Sequence, residues 1–393
     1  MRTLLSAGQL LIGPAGERIP GGAVLVDGTT ITAVGPLTEL EHAADIGEHV
    51  HHPGGTLLPG LIDMHVHLCF SPGSSLDAES DTDERDLVLT MAGHARALLD
   101  AGVTTARDLG GFGDLAVRVR NAIAAGRLDG PRLRVAGSPL TTPRGHCWFL
   151  GGQVAAGDEA ALRRAVRTRA DAGVDWIKVM ASGGASTPGG ASMWERQFDA
   201  ADLRIVVDEA ARHGLPVAVH AHGADSIADA VVAGVATVEH ATWMTGLDTS
   251  DHRTEVAAAM AEHGVVACTA DPGRWRLLAE WAGDERAHEL MGRMRWMAGQ
   301  GVGIVLGTDA GLVPFDTLPR SLALWADWGF SMAETIEAST ARAADVLGLA
   351  AVTGRLAAGL AADVLLVDGD PLAEPGSLAA PVLVMACGRV YRP

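Results

Sequence analysis

Lysine is almost missing from this chain: of 30 basic residues only Lys178 is a lysine and the rest are arginine. Such a chain keeps one lysine either by chance or because arginine cannot replace it there. Cysteine is scarce too. Cys69, Cys147, Cys268 and Cys387 lie far apart with no C-x-x-C, which excludes a disulfide framework and a thiolate zinc site and makes a reducing cytoplasm the expected location. No apolar run reaches the 18 residues of a membrane span. The opening Met1–Leu5 has the flavour of a secretory signal, but Gly8, Gln9 and Gly13 break its apolar run and no cleavage site follows. Excess positive charge is also lacking. The net charge of −18 argues against nucleic acid or an anionic membrane as partner.

What is present is a composition for burial. Hydrophobic residues make up 48%, and the 49 glycines and 18 prolines follow no period, so a soluble globular protein is expected. Residues 1–58 alternate short apolar runs with turns such as Asp27-Gly28, and 352–393 has the same texture. The two ends are therefore expected to form one small β-sandwich domain. Between them, over 59–351, helical stretches close on glycine and pass at once into apolar strands, at Gly102, Gly173, Gly214, Gly234, Gly264 and Gly301. Adding strands near 60–66 and 132–138 gives eight βα units, the pattern of an α/β (β/α)₈ TIM barrel. An open doubly wound sheet would call for Gly-x-Gly-x-x-Gly after the first strand, and that motif is absent there.

In a barrel the chemistry sits where strands end. The first strand of the middle region ends in His65-Val66-His67, the fourth holds Lys178, the fifth ends at His220, the sixth at Glu239-His240 and the eighth at Thr308-Asp309. Residues two apart on a strand share a face, so His65 and His67 can chelate one ion. Four imidazoles and a carboxylate are too many for one ion, and two divalent ions would use them all given a bridging group. An ammonium would be repelled by two cations. Carboxylation by CO₂ turns a lysine amine into an anion able to bridge them, a reaction closed to arginine.

These segments together, Pro59-Gly-Leu-Ile-Asp-Met-His65-Val-His67, Ile177-Lys178-Val with Ser182-Gly-Gly, Val219-His220-Ala-His222-Gly, Val238-Glu-His240-Ala, Gly307-Thr-Asp309-Ala-Gly and Gly359-Leu-Ala-Ala-Asp363, resemble the metal-dependent amidohydrolase superfamily. The resemblance lies in its imidazolonepropionase-like and Xaa-Pro dipeptidase-like branch and covers nearly the whole chain. It implies that His65 and His67 bind a buried metal and His220 and His240 a second, with carboxylated Lys178 bridging two divalent ions, zinc first among them. Asp309 would touch the buried metal and carry protons, while a hydroxide shared by both metals attacks an amide carbonyl. His146, in Thr142-Pro-Arg-Gly-His-Cys, resembles a histidine placed near the scissile carbonyl or substrate carboxylate.

His222 also faces inward and either replaces His220 or stands beside it in the substrate pocket; His220 is preferred because it closes the apolar run. Relatives often carry a tyrosine at this point to hold a substrate carboxylate, and Arg144 or Arg196 are the compensating candidates. Trp148, Trp194, Trp243 and Trp275 follow barrel strands; any one of them can simply be packed beneath a long loop, but several together around one mouth would make a bulky apolar wall. The remaining histidines, His42, His49, His51, His52, His94, His213, His252, His263 and His288, read as surface or satisfied core residues.

The expected activity is hydrolysis of a C–N bond in a small N-acyl amino acid, dipeptide or related amide. Deamination, imidazolone or cyclic-amide opening and lactone hydrolysis are the alternatives on the same site, and a non-enzymatic scaffold is a remote one. No nucleic acid or membrane partner is expected, and a homo-oligomer stays open.

Overall fold

Apolar alternation at both ends of the chain builds one sheet. The computed structural model describes residues 2–13, 17–74, 81–269 and 275–391, without the side chains of 269, 275–277 and 282. Strands β1 (Arg2–Leu11), β2 (Arg18–Pro20), β3 (Gly22–Asp27), β4 (Thr30–Pro36) and β5 (Ile46–Pro59) come first. Strands β14 (Val364–Asp368), β15 (Leu383–Ala386) and β16 (Arg389–Tyr391) join them in the order β16-β15-β14-β5-β1-β3-β4, with β2 on β1.

The described hydrogen bonding thus runs through a single eight-stranded sheet where two stacked sheets were expected. The reason is β5, which spans 14 residues and pairs parallel with β1 on one side and antiparallel with β14 on the other. Its His- and Gly-rich first half hides it from a pattern reading. Successive residues of β14 face opposite ways, as pleating requires. Val364 and Leu366 enter the terminal core with Leu5, Val24 and Leu57, while Leu365 and Val367 pack on the main core of the middle region.

That region holds eight parallel strands: β6 (Leu61–Val66), β7 (Val103–Asp108), β8 (Arg132–Val135), β9 (Ile177–Met180), β10 (Val217–Gly223), β11 (Thr237–Met244), β12 (Val266–Thr269) and β13 (Ile304–Leu306). They form a three-stranded sheet, β6-β7-β8, and a five-stranded sheet, β9 to β13 in sequence order. Isolated parallel bridges Leu140–Val179 and Val66–Ala310 link the two sheets at both junctions. Each expected strand forms. Helices between them start on aspartates: Asp83, Asp158 and Asp199 accept from backbone N–H groups of helices Glu84–Asp100, Glu159–Ala172 and Ala200–Arg212. Among the described residues, no helix is long and apolar enough to cross a membrane.

The six glycines at the helix-to-strand joints all take φ between 68° and 87°, the left-handed region in which a Cβ is costly. Gly102 couples the two parts of the molecule. Its φ is 85°, and a Cβ there would come within 3.1 Å of Leu365 on β14. Gly102→Ala should lower stability by roughly 1–2 kcal/mol, read from urea unfolding; an unchanged midpoint would mean that this joint carries no strain.

Candidate active site

The ends of the parallel strands bring the expected side chains together. His65, His67 and Asp309 place one ligand atom each within 4.8 Å of one another, and so do His220, His222 and His240. Both sets are buried and line one cavity of about 170 Å³ together with Lys178, His146 and Cys147. Neighbouring groups fix the rings. His67 Nδ1 donates to Gly110 O at 2.8 Å, leaving Nε2 at 3.2 Å from Asp309 Oδ1. His65 Nδ1 lies 3.0 Å from Glu239 Oε2, so its Nε2 also faces Asp309, at 3.6 Å. Asp63 ties the two strand ends, accepting from His65 N (3.1 Å), Thr308 N (3.1 Å) and Thr308 Oγ1 (2.6 Å).

Consecutive strand residues normally face opposite sides, yet Glu239 and His240 both reach His65. His240 has φ 68° and Ala241 44°, and that left-handed turn swings the imidazole back into the cavity, 5.2 Å from the His65 ring. Asp309 sits at φ 63° for the same end. Such non-glycine conformations cost about 1–3 kcal/mol each and persist where surroundings hold them. Here Arg293, from helix Asp284–Gly299, donates through Nε to Ala241 O (2.8 Å) and through Nη2 to His240 O (2.6 Å).

His220 and His222 both reach the second cluster. The His220 ring is 4.7 Å from His240 and 4.5 Å from His146, and the His222 ring stacks on His240 at 4.8 Å. His222 Nδ1 lies 2.9 Å from Thr242 Oγ1, which turns its Nε2 to the cavity. His146 Nδ1 lies 3.0 Å from Thr187 Oγ1. The Ser182-Gly-Gly run makes room for it, since a Cβ on Gly184 would overlap the His146 ring.

Lys178 is 1% exposed, and its Nζ has no hydrogen-bond partner among the described residues. Burial lowers its pKa, and with it His65 falls to about 4 and His146 to about 3, burial acting first and the Lys178 charge second. His146 therefore stays neutral at physiological pH. Burial is the wrong environment for an ammonium and the right one for an amine, the form that reacts with CO₂. An orphaned amine among imidazoles and one carboxylate fits a site for divalent ions.

Pattern reading missed the groups beneath the site. Arg107 and Glu239 are both fully buried and paired at 2.9 Å; Arg107 also donates to Met64 O and Thr237 Oγ1 and stacks on Trp176. Burial opposes ionisation of Glu239, but the Arg107 charge and the contact from His65 hold its carboxyl well below the ordinary range. The only sequence signal was one arginine within the strand Val103–Asp108, which follows directly on a helix-closing glycine.

Two expectations fail. Trp243 is buried against Trp296, and neither it nor Trp148 or Trp194 lines the cavity; the Trp275 side chain lies outside the described residues. The apolar wall is instead Phe70, Met180, Met193, Leu290, Met291 and Leu312. Arg196 is engaged with Asp229 at 2.8 Å and Arg144 lies over Trp148, so neither candidate reaches the cavity.

The model of the amidohydrolase family matches residues 56–391. The chain belongs to the amidohydrolase family. This hydrolase is 28% identical to ochratoxinase of Aspergillus niger, across 95% of this chain and 82% of that one. It is 27% identical to imidazolonepropionase of Chromobacterium violaceum, across 95% and 91%. Among solved structures it resembles a Xaa-Pro dipeptidase with bound methionine in the active site, with 26% identity, full coverage of both chains and a TM-score of 0.87. The branch read from the sequence is thereby matched.

Glu239→Gln removes the charge that holds Arg107 and orients His65. Breaking a buried pair on one side costs about 3–5 kcal/mol, and losing the partner of a ligating imidazole weakens metal affinity by roughly 10–100-fold. Unfolding and zinc titration should show both; metal affinity equal to the parent's would mean that Glu239 does not orient His65.

Proposed function

We propose that this amidohydrolase cleaves the C–N bond of a small amide, an N-acyl amino acid or dipeptide with an apolar portion, at a two-metal site in the mouth of a closed (β/α)₈ barrel. The strand order and the bridges at both sheet junctions support the barrel. Residues 59–351 form it, and 1–58 with 352–393 form the accessory domain. His65, His67 and Asp309 would hold one divalent ion and His220 and His240 the other, zinc being the first choice for imidazole-rich sites. His222 lines the substrate side. When bound, such ions polarise the amide carbonyl and lower the pKa of water toward neutrality.

The observation that carries this reading is Lys178, the sole lysine, buried and without a hydrogen-bond partner among the described residues. It lines the same cavity as His65 and His67 and as His220 and His240, beside both clusters. As a free amine it adds to CO₂: an N–C bond forms, one proton leaves, and the product is a carbamate anion that would serve both ions.

The other residues move protons and exclude water. Asp309, held by His65 and His67, takes the proton of the attacking water and returns it to the leaving nitrogen. His146, neutral and anchored on Thr187, offers a hydrogen bond at the carbonyl without adding charge. The methionine and leucine wall favours an apolar side chain and keeps bulk water out. Relatives named for a dipeptidase activity, one of them with an amino acid in its active site, support an amino-acid-like substrate.

The deciding experiment is turnover of N-acyl amino acids, dipeptides and lactones by metal-loaded protein, with Asp309→Asn beside the parent. Asn keeps an oxygen ligand but cannot cycle a proton, so metal content should stay near the parent's while kcat falls by about 10²–10⁴. Metal lost in proportion to activity would make coordination the chief role of Asp309. Lactone turnover without amide turnover would overturn the amidase reading.

A further inference from the structure

Arg293 has more capacity than its bracing of the His240 turn uses. It is 3% exposed and lines the cavity. Nε and Nη2 are spent on the carbonyls of His240 and Ala241, but Nη1 has no hydrogen-bond partner, and Arg293 makes no ion pair among the described residues. Asp309 is the only carboxylate among the described lining residues, and it already faces His65 and His67. A buried cation without a counter-charge is expensive, and a buried N–H without an acceptor adds to that cost. A group arriving with the ligand removes both.

We propose that Arg293 Nη1 receives a carboxylate of the substrate, so that the enzyme selects amides bearing one anionic group next to an apolar side chain. This deepens the amidase reading and rests on it. The apolar component would lie against Met291 and Leu290, one helical turn or less from Arg293 on the same helix and also in the cavity wall. Neither Arg144 nor Arg196 competes for the carboxylate, since both lie outside the cavity. Because one guanidinium both binds the anion and braces His240, a neutral substrate would leave the buried Nη1 unsatisfied.

The test uses two probes that cannot be hydrolysed, N-benzyl-leucine and N-benzyl-leucinol, in which a CH₂ replaces the acyl carbonyl and, in the second, a hydroxymethyl group replaces the carboxylate. Their affinities for metal-loaded parent, Arg293→Met and Arg293→Lys proteins are measured by calorimetry. The parent should bind the carboxylate about 10–100-fold more tightly than the alcohol, the scale of a hydrogen bond to a charged group. Arg293→Met should abolish that preference and Arg293→Lys should keep part of it. No preference in the parent, or an undiminished preference in Arg293→Met, would overturn the proposal, the latter by assigning the carboxylate to the metals. Should Arg293→Met fail to fold, a crystal structure of the parent with N-benzyl-leucine decides: carboxylate on Nη1 supports the assignment, and carboxylate elsewhere refutes it. Binding is read without turnover, so an enzyme that shows the preference yet hydrolyses no amide would refute the amidase reading and leave the Arg293 assignment standing.

Discussion

A fully buried carboxylate, Glu239, is the interaction on which the site depends. It faces Arg107 on one side and His65 on the other, and its charge also acts on Lys178. Without it, the interior between the strands would hold a guanidinium, an amine and several imidazoles with little to offset them, and burial penalises each charge. With it, Arg107 is anchored and His65 presents Nε2. Buried ion pairs of this kind often contribute no more stability than apolar packing of equal volume, which puts the weight of this one on orientation.

Backbone strain follows from the same demand. Several polar side chains must converge at one end of a set of strands whose side chains alternate. At β11 the chain resolves the conflict with left-handed φ at His240 and Ala241, and after β13 with another at Asp309. Each such residue is held by a side chain from elsewhere, Arg293 for the His240 turn and Asp63 for the Thr308 end. Second-sphere groups therefore do two jobs here, fixing ring orientation and stabilising unfavourable backbone.

Much of this was legible in the sequence because it is periodic or local. Glycine after a helix marks six of the eight strands of the middle region, and the strand-end histidines announce themselves by position. What escaped was what depends on three-dimensional partners. Arg107 and Glu239 are distant in sequence and look like ordinary charges. Arg293 sits in a helix rich in polar residues, so nothing singles it out. β5 lacks the alternation of its neighbours because His and Gly fill its exposed half. The tryptophans misled for the opposite reason: a large side chain after a strand signals burial as readily as a pocket wall, and Trp243 packs into the core.

The central claim is that Lys178 is held as an anion and not as an ammonium. Because the chain has no other lysine, incubation of metal-loaded protein with ¹³CO₂ tests it directly by ¹³C NMR. The account predicts one slowly exchanging carbamate resonance, lost when the metals are stripped and absent in Lys178→Ala. An active, metal-filled enzyme with no such resonance would contradict it.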